Sequence, residues 1–542
     1  MKRIFIYITL IITALGCTSE PAKIIYPEPD YANVELSSRS AVVERTGGVK
    51  EIFVSSNRES WSAECNVEWV DLSIEANSLK LYVDANDTHE SRMAIIDIVA
   101  GSDPDTSKAR FKLTQLGDES LDLSAEATAN CYICPTQRIV KFRADIKGNG
   151  ARDGRSRYMA TYDAAITGAA YADVVWEATF DGDKTRSVHI IDSTPIYSAD
   201  DKCIYLRTGA TEGNALVAIY NGGGKLLWSW HLWVTDAEIG HSEANGLEWM
   251  DRNLGALTTD MDDIANRGML YQWGRKEPFL PSPAAYVEMP THSYDEDYNL
   301  TETEEEYAAI QAEIEVNRVA VNINNLQTGN GRYEWQYVGY PAPVALNAPG
   351  NIEYALEHPT TLLACRTDIP IGEYLFDWYM QQDLMNTSGV MMQSDSQLWG
   401  DAEPGTEYKT IFDPCPAGYC VPPRGAFGDI PAEYACTYLS HQWTKEAYGW
   451  RWTGGNGDFF PATGNYDVSG LIGETSEKML YWTAESFGNG ASGFGKAATL
   501  FVAFNDIYYG IYPLLDETVA GSWYSYGARA YGASVRCVRE QK

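Results

Sequence analysis

The sequence predicts a multi-domain, β-rich protein in which two all-β units precede a C-terminal α+β domain. The chain has 542 residues, which is enough for three or four domains. Apolar and polar residues alternate in the early segments, as in Leu79, Leu81 and Val83, and this period of two is typical of half-buried strands. From about residue 246 the alternation weakens while glycines and aromatic residues become dense, so a domain of another type begins there.

The N-terminal residues predict export. Lys2 and Arg3 precede an apolar stretch, residues 4–15, which is shorter than the roughly 20 residues that a membrane-spanning helix needs. Residues 1–16 are therefore predicted to be a signal peptide. Residues 14–17 (ALGC), which end at Cys17, resemble the lipobox of bacterial lipoproteins, although Ala14 stands where that family usually has a branched aliphatic residue. The resemblance implies that Cys17 is the lipid-attachment site; the alternative is an ordinary signal peptide with a chance cysteine.

Residues 17–32 are rich in proline and acidic residues and are predicted to form a lipidated tether. No later apolar run is long enough to span a membrane, so lipid is the only anchor that we expect. The chain has 75 acidic and 41 basic residues and a net charge of −34. A surface of this charge repels phosphate backbones, so we expect no nucleic-acid partner.

Residues 33–117 form the first predicted β unit. Trp61 and Trp69 lie between its early strands, a polar turn covers residues 86–92, and the unit closes at Gln115. These features resemble the BACON module, a small immunoglobulin-like sandwich of Bacteroidetes surface proteins. The family name suggests carbohydrate binding, but such modules often serve as spacers, and we favour the spacer interpretation because a sandwich tryptophan is usually a core residue.

Residues 121–236 form the second predicted β unit, again a sandwich. Residues 221–224 (NGGG) are a glycine-rich hairpin signal between two apolar segments. The second of these segments, residues 227–234 (LWSWHLWV), is apolar on both faces, which predicts a strand that is covered on both sides. Within it, His231 is predicted to be a hydrogen-bonded interior residue rather than a ligand.

Residues 246–542 contain six blocks that resemble the "major paralogous domain" of Bacteroidetes and Fibrobacter surface proteins, a relative of the C-type-lectin-like fold of formylglycine-generating enzymes. The blocks are WMDRNLG at 249–255, YQWGRK at 271–276, DPCPAGY at 413–419, FPATG at 460–464, YWT at 481–483 and SVRCV at 534–538. An insertion at about 287–398 separates them and contains one predicted helix that begins with a capping box at Thr303 and Glu306. The fold class is therefore two N-terminal all-β immunoglobulin-like sandwiches followed by an α+β C-type-lectin-like domain with a large insertion.

Nine of the ten cysteines follow Cys17, so at least one thiol is expected to be unpaired. The resemblance implies a disulfide between Cys415 and Cys537, and Cys420 with Cys436 is then a plausible second pair. Cys415 and Cys420 also have the five-residue spacing of the thiol pair in formylglycine-generating enzymes, but they lie in another part of the domain. We therefore favour a non-catalytic protein and predict no catalytic residues.

Metal and redox chemistry have weak support in the sequence. Cys131 and Cys134 have the spacing of a redox or zinc pair, yet no second pair and no nearby histidine pair accompany them. The acidic loops at Asp260 and Asp295 offer oxygen ligands for calcium, but neither has the spacing of a known calcium loop. The seven histidines form no HExxH motif. We expect no cofactor, with calcium as the possible exception, and the sequence does not identify which residues would bind a metal.

The candidate ligand site lies near the C-terminus. Trp450 and Trp452 share one face if they lie on a strand, and they border a glycine-rich loop that contains Asn456 and Asp458. The four residues could form a stacking platform with hydrogen-bonding groups for sugar hydroxyls. The alternative, which alternate tryptophans favour, is a pair of core residues.

These features together predict an outer-membrane lipoprotein, exposed at the cell surface, whose lectin-like head binds a glycan or a glycoprotein. The alternative is a fimbria-associated or other assembly subunit that binds protein partners, because aromatic residues are enriched in protein interfaces as well.

Overall fold

The computed structural model describes residues 31–150, 163–181, 184–186, 190–281, 335–338, 348–365, 378, 398–400, 409–423, 425–427, 444–446, 448–466, 472–473, 478–487, 496–503 and 521–541. The regular secondary structure of these residues is almost entirely strands, arranged in several sheets. The predicted signal peptide, Cys17 and its tether up to residue 30, and the helix predicted at Thr303 lie outside the described residues. No helix within these ranges is long and apolar enough to cross a membrane.

The first unit is a sandwich of two four-stranded sheets, with the orders β1-β3-β6-β5 and β2-β8-β7-β4. Alternate side chains of these strands, such as Leu79, Leu81 and Phe111, point into one core because successive residues of a strand face opposite sides. Trp61 and Trp69 are partly buried at the edge of this core. The strands are β1 (Val34–Leu36), β2 (Ser40–Val43), β3 (Gly48–Ser56), β4 (Trp61–Cys65), β5 (Val70–Ile74), β6 (Ser78–Val83), β7 (Arg92–Ser102) and β8 (Asp105–Gln115).

The second unit also has two sheets, with the orders β10-β17-β16-β12-β13 and β14-β15-β11-β9. The glycine-rich hairpin predicted from the sequence joins β16 to β17, which pair antiparallel. The strands are β9 (Leu121–Asp122), β10 (Cys131–Cys134), β11 (Ile139–Arg143), β12 (Ala169–Asp181), β13 (Lys184–Arg186), β14 (Ile196–Ser198), β15 (Cys203–Arg207), β16 (Gly213–Asn221) and β17 (Leu226–Val234).

The first two sandwiches are in direct contact. Val42 of β2 and Leu116 pack with Ile139 and Tyr205 of the second unit in one small apolar cluster. Hydrogen bonds surround that cluster, including one of 3.1 Å from Ser40 Oγ to the carbonyl oxygen of Tyr197. The two modules therefore meet through a shared apolar cluster as well as through the chain that connects them.

Strand β17 is buried along almost its whole length, and the predicted coverage of both faces is confirmed. One face packs inside the second sandwich, where Trp230 contacts Phe142. The other face, which carries His231, packs against the C-terminal domain from residue 246 onward (the head), where the hydroxyl group of Tyr271 lies 3.2 Å from His231 Nδ1. As a result, a single apolar core extends from the second sandwich into the head.

Polar groups also join the second unit to the head. Asn130 Nδ2 donates hydrogen bonds of 2.7 and 2.8 Å to the carbonyl oxygens of Ile411 and Asp413. The buried ammonium group of Lys276 donates to the carbonyl oxygen and the hydroxyl group of Ser229 at 2.9 and 2.7 Å. The predicted boundary between residues 236 and 246 therefore does not separate two independent cores.

The described part of the head contains a sheet of order β18-β19-β33-β23, a larger sheet of order β28-β27-β32-β29-β30-β31 with β20 paired to β32, and two small sheets, β21-β22 and β24-β25-β26. One α-helix, α1 (Ala348–Glu357), lies within the predicted insertion, and a 3₁₀ helix covers Ile264–Asn266. The strands are β18 (His241–Ala244), β19 (Leu247–Met250), β20 (Leu270–Gln272), β21 (Trp335–Val338), β22 (Leu362–Cys365), β23 (Tyr419–Cys420), β24 (Thr444–Glu446), β25 (Gly449–Arg451), β26 (Phe459–Pro461), β27 (Asn465–Tyr466), β28 (Ile472–Gly473), β29 (Lys478–Phe487), β30 (Lys496–Ala503), β31 (Gly521–Ala528), β32 (Gly532–Ser534) and β33 (Val538–Arg539).

Candidate functional site

Cys415 and Cys537 form a disulfide bond, as the family resemblance implied. The bond ties the segment before β23 to the segment before β33, two strands that also pair with each other. Cys420 is buried in β23. Its suggested partner, Cys436, lies outside the described residues, so that second pair stays a prediction.

The candidate stacking platform at Trp450 and Trp452 is wrong, and the favoured alternative of core residues is right, because both indole rings are fully buried. Trp452 packs edge-on against Trp249, with ring centroids 5.6 Å apart, and against Phe427 and Phe460. The two tryptophans belong to a compact aromatic cluster under β19 and β26. Neither ring offers a face to a ligand, and the alternative that they are core residues holds.

Asn456 and Asp458, the polar members of the same prediction, are only partly buried. Both side chains bond to Ser242 of β18: its hydroxyl group donates to Asp458 Oδ2 and accepts from Asn456 Nδ2 at 2.8 Å. These bonds position the turn at residues 453–458 against the first hairpin of the head. Asp458 also lines a cleft. Asn456 does not line it, but its Oδ1 accepts a hydrogen bond from the backbone N–H of Asp458 and so helps to hold the turn.

The head cleft, as we call it, lies between the segment that follows β19 and the turn that precedes β26, and it has a volume of about 290 Å³. This is near the lower limit of small-molecule pockets, about 300 Å³. Charged, hydroxyl and apolar side chains share its wall. The lining residues are Asp251, Arg252, Thr258, Thr259, Met261, Asn266, Arg451, Gly457, Asp458, Phe459, Pro461 and Arg536.

Two of the three arginines of the head cleft are in ion pairs. Arg252 contacts Asp251 through Nε and Nη2, at 2.7 and 3.0 Å. Arg451 contacts Glu446 in the same two-pronged way, at 2.6 and 2.9 Å. Each guanidinium of these pairs also donates to a backbone carbonyl oxygen, that of Glu238 for Arg252 and that of Gly457 for Arg451.

The third arginine, Arg536, has no carboxylate partner among the described residues. It is 1% exposed, and its guanidinium group lies over the ring of Phe460 at 3.7 Å. Nε donates to Asn253 Oδ1 at 3.1 Å and Nη2 donates to the carbonyl oxygen of Phe459 at 2.8 Å, whereas Nη1 makes no hydrogen bond. Burial lowers the pKa of Arg536, because the charged form loses hydration.

The acidic loop at Asp260, the described one of the two calcium candidates, uses its oxygens within the chain. Asp260 Oδ1 accepts from the backbone N–H of Asp262 at 3.0 Å, and Asp263 Oδ1 caps the 3₁₀ helix by accepting from Ala265. No group of three or more candidate metal ligands occurs within the described ranges. The second loop, at Asp295, lies outside them.

Cys131 and Cys134 lie on β10, and both are buried. Burial raises the pKa of each thiol, that of Cys131 well above its usual value, so both stay protonated and weakly nucleophilic. Residues three apart on a strand point to opposite faces, so the pair does not converge on a common point. The spacing that suggested redox or zinc chemistry is therefore a feature of a core strand.

Sequence reasoning missed the arginines of the head cleft. Arg252 and Arg536 each lie in one of the family blocks, but the resemblance of these blocks assigns neither residue a role. A signal was present nonetheless: Arg536 stands between Val535 and Cys537 in a short apolar run, where a buried charge requires a partner. Its position beside Asp458 depends on the fold and could not be read from the sequence.

Comparison with known proteins identifies the first unit. Residues 59–116 match the BACON family, described as "Putative binding domain, N-terminal". The first sandwich is a BACON-like module. The match covers the region of Trp61, Trp69 and Gln115 that suggested the family from the sequence, and it ends before the second sandwich. No curated protein matches the chain.

Solved structures resemble only parts of the chain. A protein from Bacteroides thetaiotaomicron, determined by NMR, is 21% identical over 19% of this chain and 94% of its own, with a TM-score of 0.12. The titin Ig tandem A164-A165 is 9% identical over 38% of this chain and 97% of its own, with a TM-score of 0.14. The periplasmic chaperone SfaE is 9% identical over 37% of this chain and 100% of its own, with a TM-score of 0.17.

Proposed function

We propose that this chain is a non-catalytic, outer-membrane-anchored surface lipoprotein whose lectin-like head binds a glycan or a glycoprotein in the head cleft. The observation that carries the proposal is the composition of that cleft. Hydrogen-bond donors and acceptors from Arg536, Asp458 and Thr259 line it beside apolar groups of Met261 and Pro461. Sugars present the same mixture of hydroxyl groups and C–H faces.

The N-terminal modules support the presentation of such a head. The BACON-like module belongs to a family described as a binding domain, which agrees with a binding protein. Its contact with the second sandwich includes the ion pair between Lys50 and Asp200 and a second ion pair, of 3.7 Å, between Glu44 and Lys141. The second sandwich in turn shares its core with the head. Modules joined in this way can hold the head away from a membrane in a defined orientation.

The lipid anchor rests on the sequence of the N-terminus, with its basic residues, short apolar stretch and Cys17. Several acyl chains on one residue hold a protein firmly on a membrane, since each buried CH₂ group contributes about 0.8 kcal/mol. Placement in the outer membrane and exposure at the cell surface follow from the resemblance to Bacteroidetes surface lipoproteins.

Two observations favour a non-catalytic protein. Cys415 forms a disulfide bond with Cys537, so it is not available as a thiol to work with Cys420. The carboxylates Asp251 and Asp458 of the head cleft have their own partners, Arg252 and Ser242, which restrict them to fixed positions. Recognition requires such fixed groups, and none of them is a nucleophile paired with a base.

A glycan array probed with the full mature chain, made soluble by Cys17→Ser, tests the proposal. Binding to a defined set of glycans, without release of reducing sugar from any of them, is the expected result. Release of sugar, or capture of other surface proteins with no glycan bound, contradicts it, and the second of these results favours an assembly subunit instead.

A further inference from the structure

Among the charged side chains that line the head cleft, Arg252 and Arg451 are in ion pairs, and two others are not. Arg252 is neutralised by Asp251, and Arg451 is neutralised by Glu446. Arg536 and Asp458 appear in no ion pair with a described residue, although Arg536 interacts electrostatically with Tyr481, Asp458 and Asp251. The cleft therefore contains one positive and one negative group that hydrogen bonds hold in place but no ion pair neutralises.

Arg536 supplies the unused donor. A buried cation is costly unless it is paired, because the interior solvates it poorly. Two of its N–H groups donate to the neutral oxygens of Asn253 and Phe459, and Nη1 has no acceptor. Because Arg536 lines the cleft, an acceptor group that enters it comes close to this guanidinium group and stabilises its charge.

Asp458 supplies the unused acceptor. Oδ2 receives the hydroxyl hydrogen of Ser242, whereas Oδ1 receives no hydrogen bond from the described residues. A carboxylate accepts hydrogen bonds only, and a guanidinium group donates them only. A ligand that fits both must therefore offer an acceptor to one and a donor to the other.

The geometry points to a single neutral sugar residue as the ligand of the head cleft, held by adjacent hydroxyl groups that bridge Arg536 and Asp458. This inference rests on the proposed glycan binding and adds the class of sugar. A hydroxyl group is both donor and acceptor, so neighbouring hydroxyls satisfy the two side chains together. The volume of about 290 Å³ has room for one sugar ring, and any further rings of a glycan would extend outside the cleft.

An acidic sugar fits the same cleft less well. Its carboxylate could accept from Arg536, but an ionised carboxylate has no hydrogen to donate to Asp458, so it cannot bridge the two side chains as a pair of hydroxyl groups can. The carboxylate of the ligand and that of Asp458 also repel each other when they lie close together. The net charge of −34 on the whole chain also repels an anionic ligand as it approaches.

Saturation-transfer NMR on the full mature chain carrying Cys17→Ser provides the test. The probes are methyl glycosides of glucose, galactose and mannose, each compared with the uronic acid that differs only at C6. We expect signal from at least one neutral sugar and a weaker signal from its uronic acid. Asp458→Asn is expected to weaken binding by about tenfold, since a charge-assisted hydrogen bond becomes a neutral one.

Two further variants make the result specific. Asp262→Asn removes the same charge from an exposed position that does not line the cleft, and it is expected to bind like the wild type. Thr259→Trp places a large side chain at an exposed position of the cleft wall, so it should abolish binding without disturbing the core, even if Asp458→Asn lowers stability.

Three results overturn the inference: a uronic acid that binds better than its neutral sugar, binding that survives Asp458→Asn and Thr259→Trp, or no signal from any neutral sugar. In each case a glycan array that is still positive leaves glycan binding standing, with another class of sugar or another site than the one inferred here. An array that is also negative removes both.

Discussion

The carboxylate of Asp458 accepts a hydrogen bond from the hydroxyl group of Ser242, which lies 216 positions earlier in the chain. Asn456 donates to the same hydroxyl oxygen at 2.8 Å. Through this one residue of β18, the turn before β26 is fixed to the first hairpin of the head. The two polar residues predicted to contact a ligand are thus held in place by a contact that sequence spacing does not reveal.

Substitution of Trp452 tests whether the buried tryptophan pair, Trp450 and Trp452, stabilises the head. Its ring packs among Trp249, Phe427 and Phe460, so Trp452→Ala is expected to lower the free energy of unfolding by about 3–5 kcal/mol. Urea denaturation of the full mature chain measures this loss, and Trp452→Phe, which retains an aromatic ring, should cost less. A protein that keeps its stability with alanine at this position would show that the ring is not part of the core.

The shared core predicts how the chain can be divided. A fragment that begins at residue 246 loses β17 and exposes the apolar groups that Trp228 covers, such as Phe412. We expect it to aggregate or to lack a cooperative thermal transition, whereas a fragment that begins at residue 118 retains β9–β17 and folds. Circular dichroism and size-exclusion chromatography of the two fragments compare them. A monomeric, cooperatively folded 246–542 fragment would refute the shared core.

His231 predicts a specific dependence of stability on pH. Its ring is buried between Asn214 Oδ1, at 2.8 Å, and the hydroxyl group of Tyr271, at 3.2 Å, and burial lowers its pKa to about 3. The unfolded chain binds a proton near pH 6.5, the usual value for histidine. The contribution of His231 is therefore complete above about pH 6.5 and is lost as the pH falls towards 3, by at most about 1.4 kcal/mol per pH unit.

The variant His231→Gln keeps a side chain that can donate and accept but does not titrate. Between pH 6.5 and 4, its free energy of unfolding should fall less steeply than that of the wild type, and urea denaturation across this range measures the difference. Because the carboxylates are common to both proteins, their effects cancel. Equal slopes would mean that the histidine can be protonated in the folded state.

The proposed lipid anchor can be tested at Cys17. Mass spectrometry of the mature N-terminus is expected to find an acylated Cys17, and Cys17→Ser is expected to move the protein from the membrane to soluble fractions. Protease treatment of intact cells then reports whether the head is exposed at the surface. An unmodified wild-type protein in the soluble fraction would contradict the lipoprotein assignment.

The sequence predicted features that depend on local pattern or on whole blocks of a family. The apolar residues on both faces of β17 predicted its double coverage, and the family block around Cys415 implied the bond to Cys537. For Trp450 and Trp452, the sequence pattern does not predict whether the side chains are buried. Alternation places both rings on one face, but only the distant Trp249 and Phe460 decide whether that face is covered.

For a related reason, the sequence could not predict which charged side chains meet in the head cleft. The pairing of Arg451 with Glu446 is local and could be guessed from a hairpin, whereas Arg536 meets Asp458 only because β26 and the C-terminal segment lie side by side. A chain with 75 acidic residues offers too many candidate partners for sequence alone to select one.

Hydrogen–deuterium exchange of the full mature chain, with and without a glycan that binds it on an array, tests the central claim most directly. We predict slower exchange on binding in residues 250–261 and 449–461, which form the two walls of the head cleft. Slower exchange confined to the BACON-like module, residues 59–116, would place the binding site there and contradict the account.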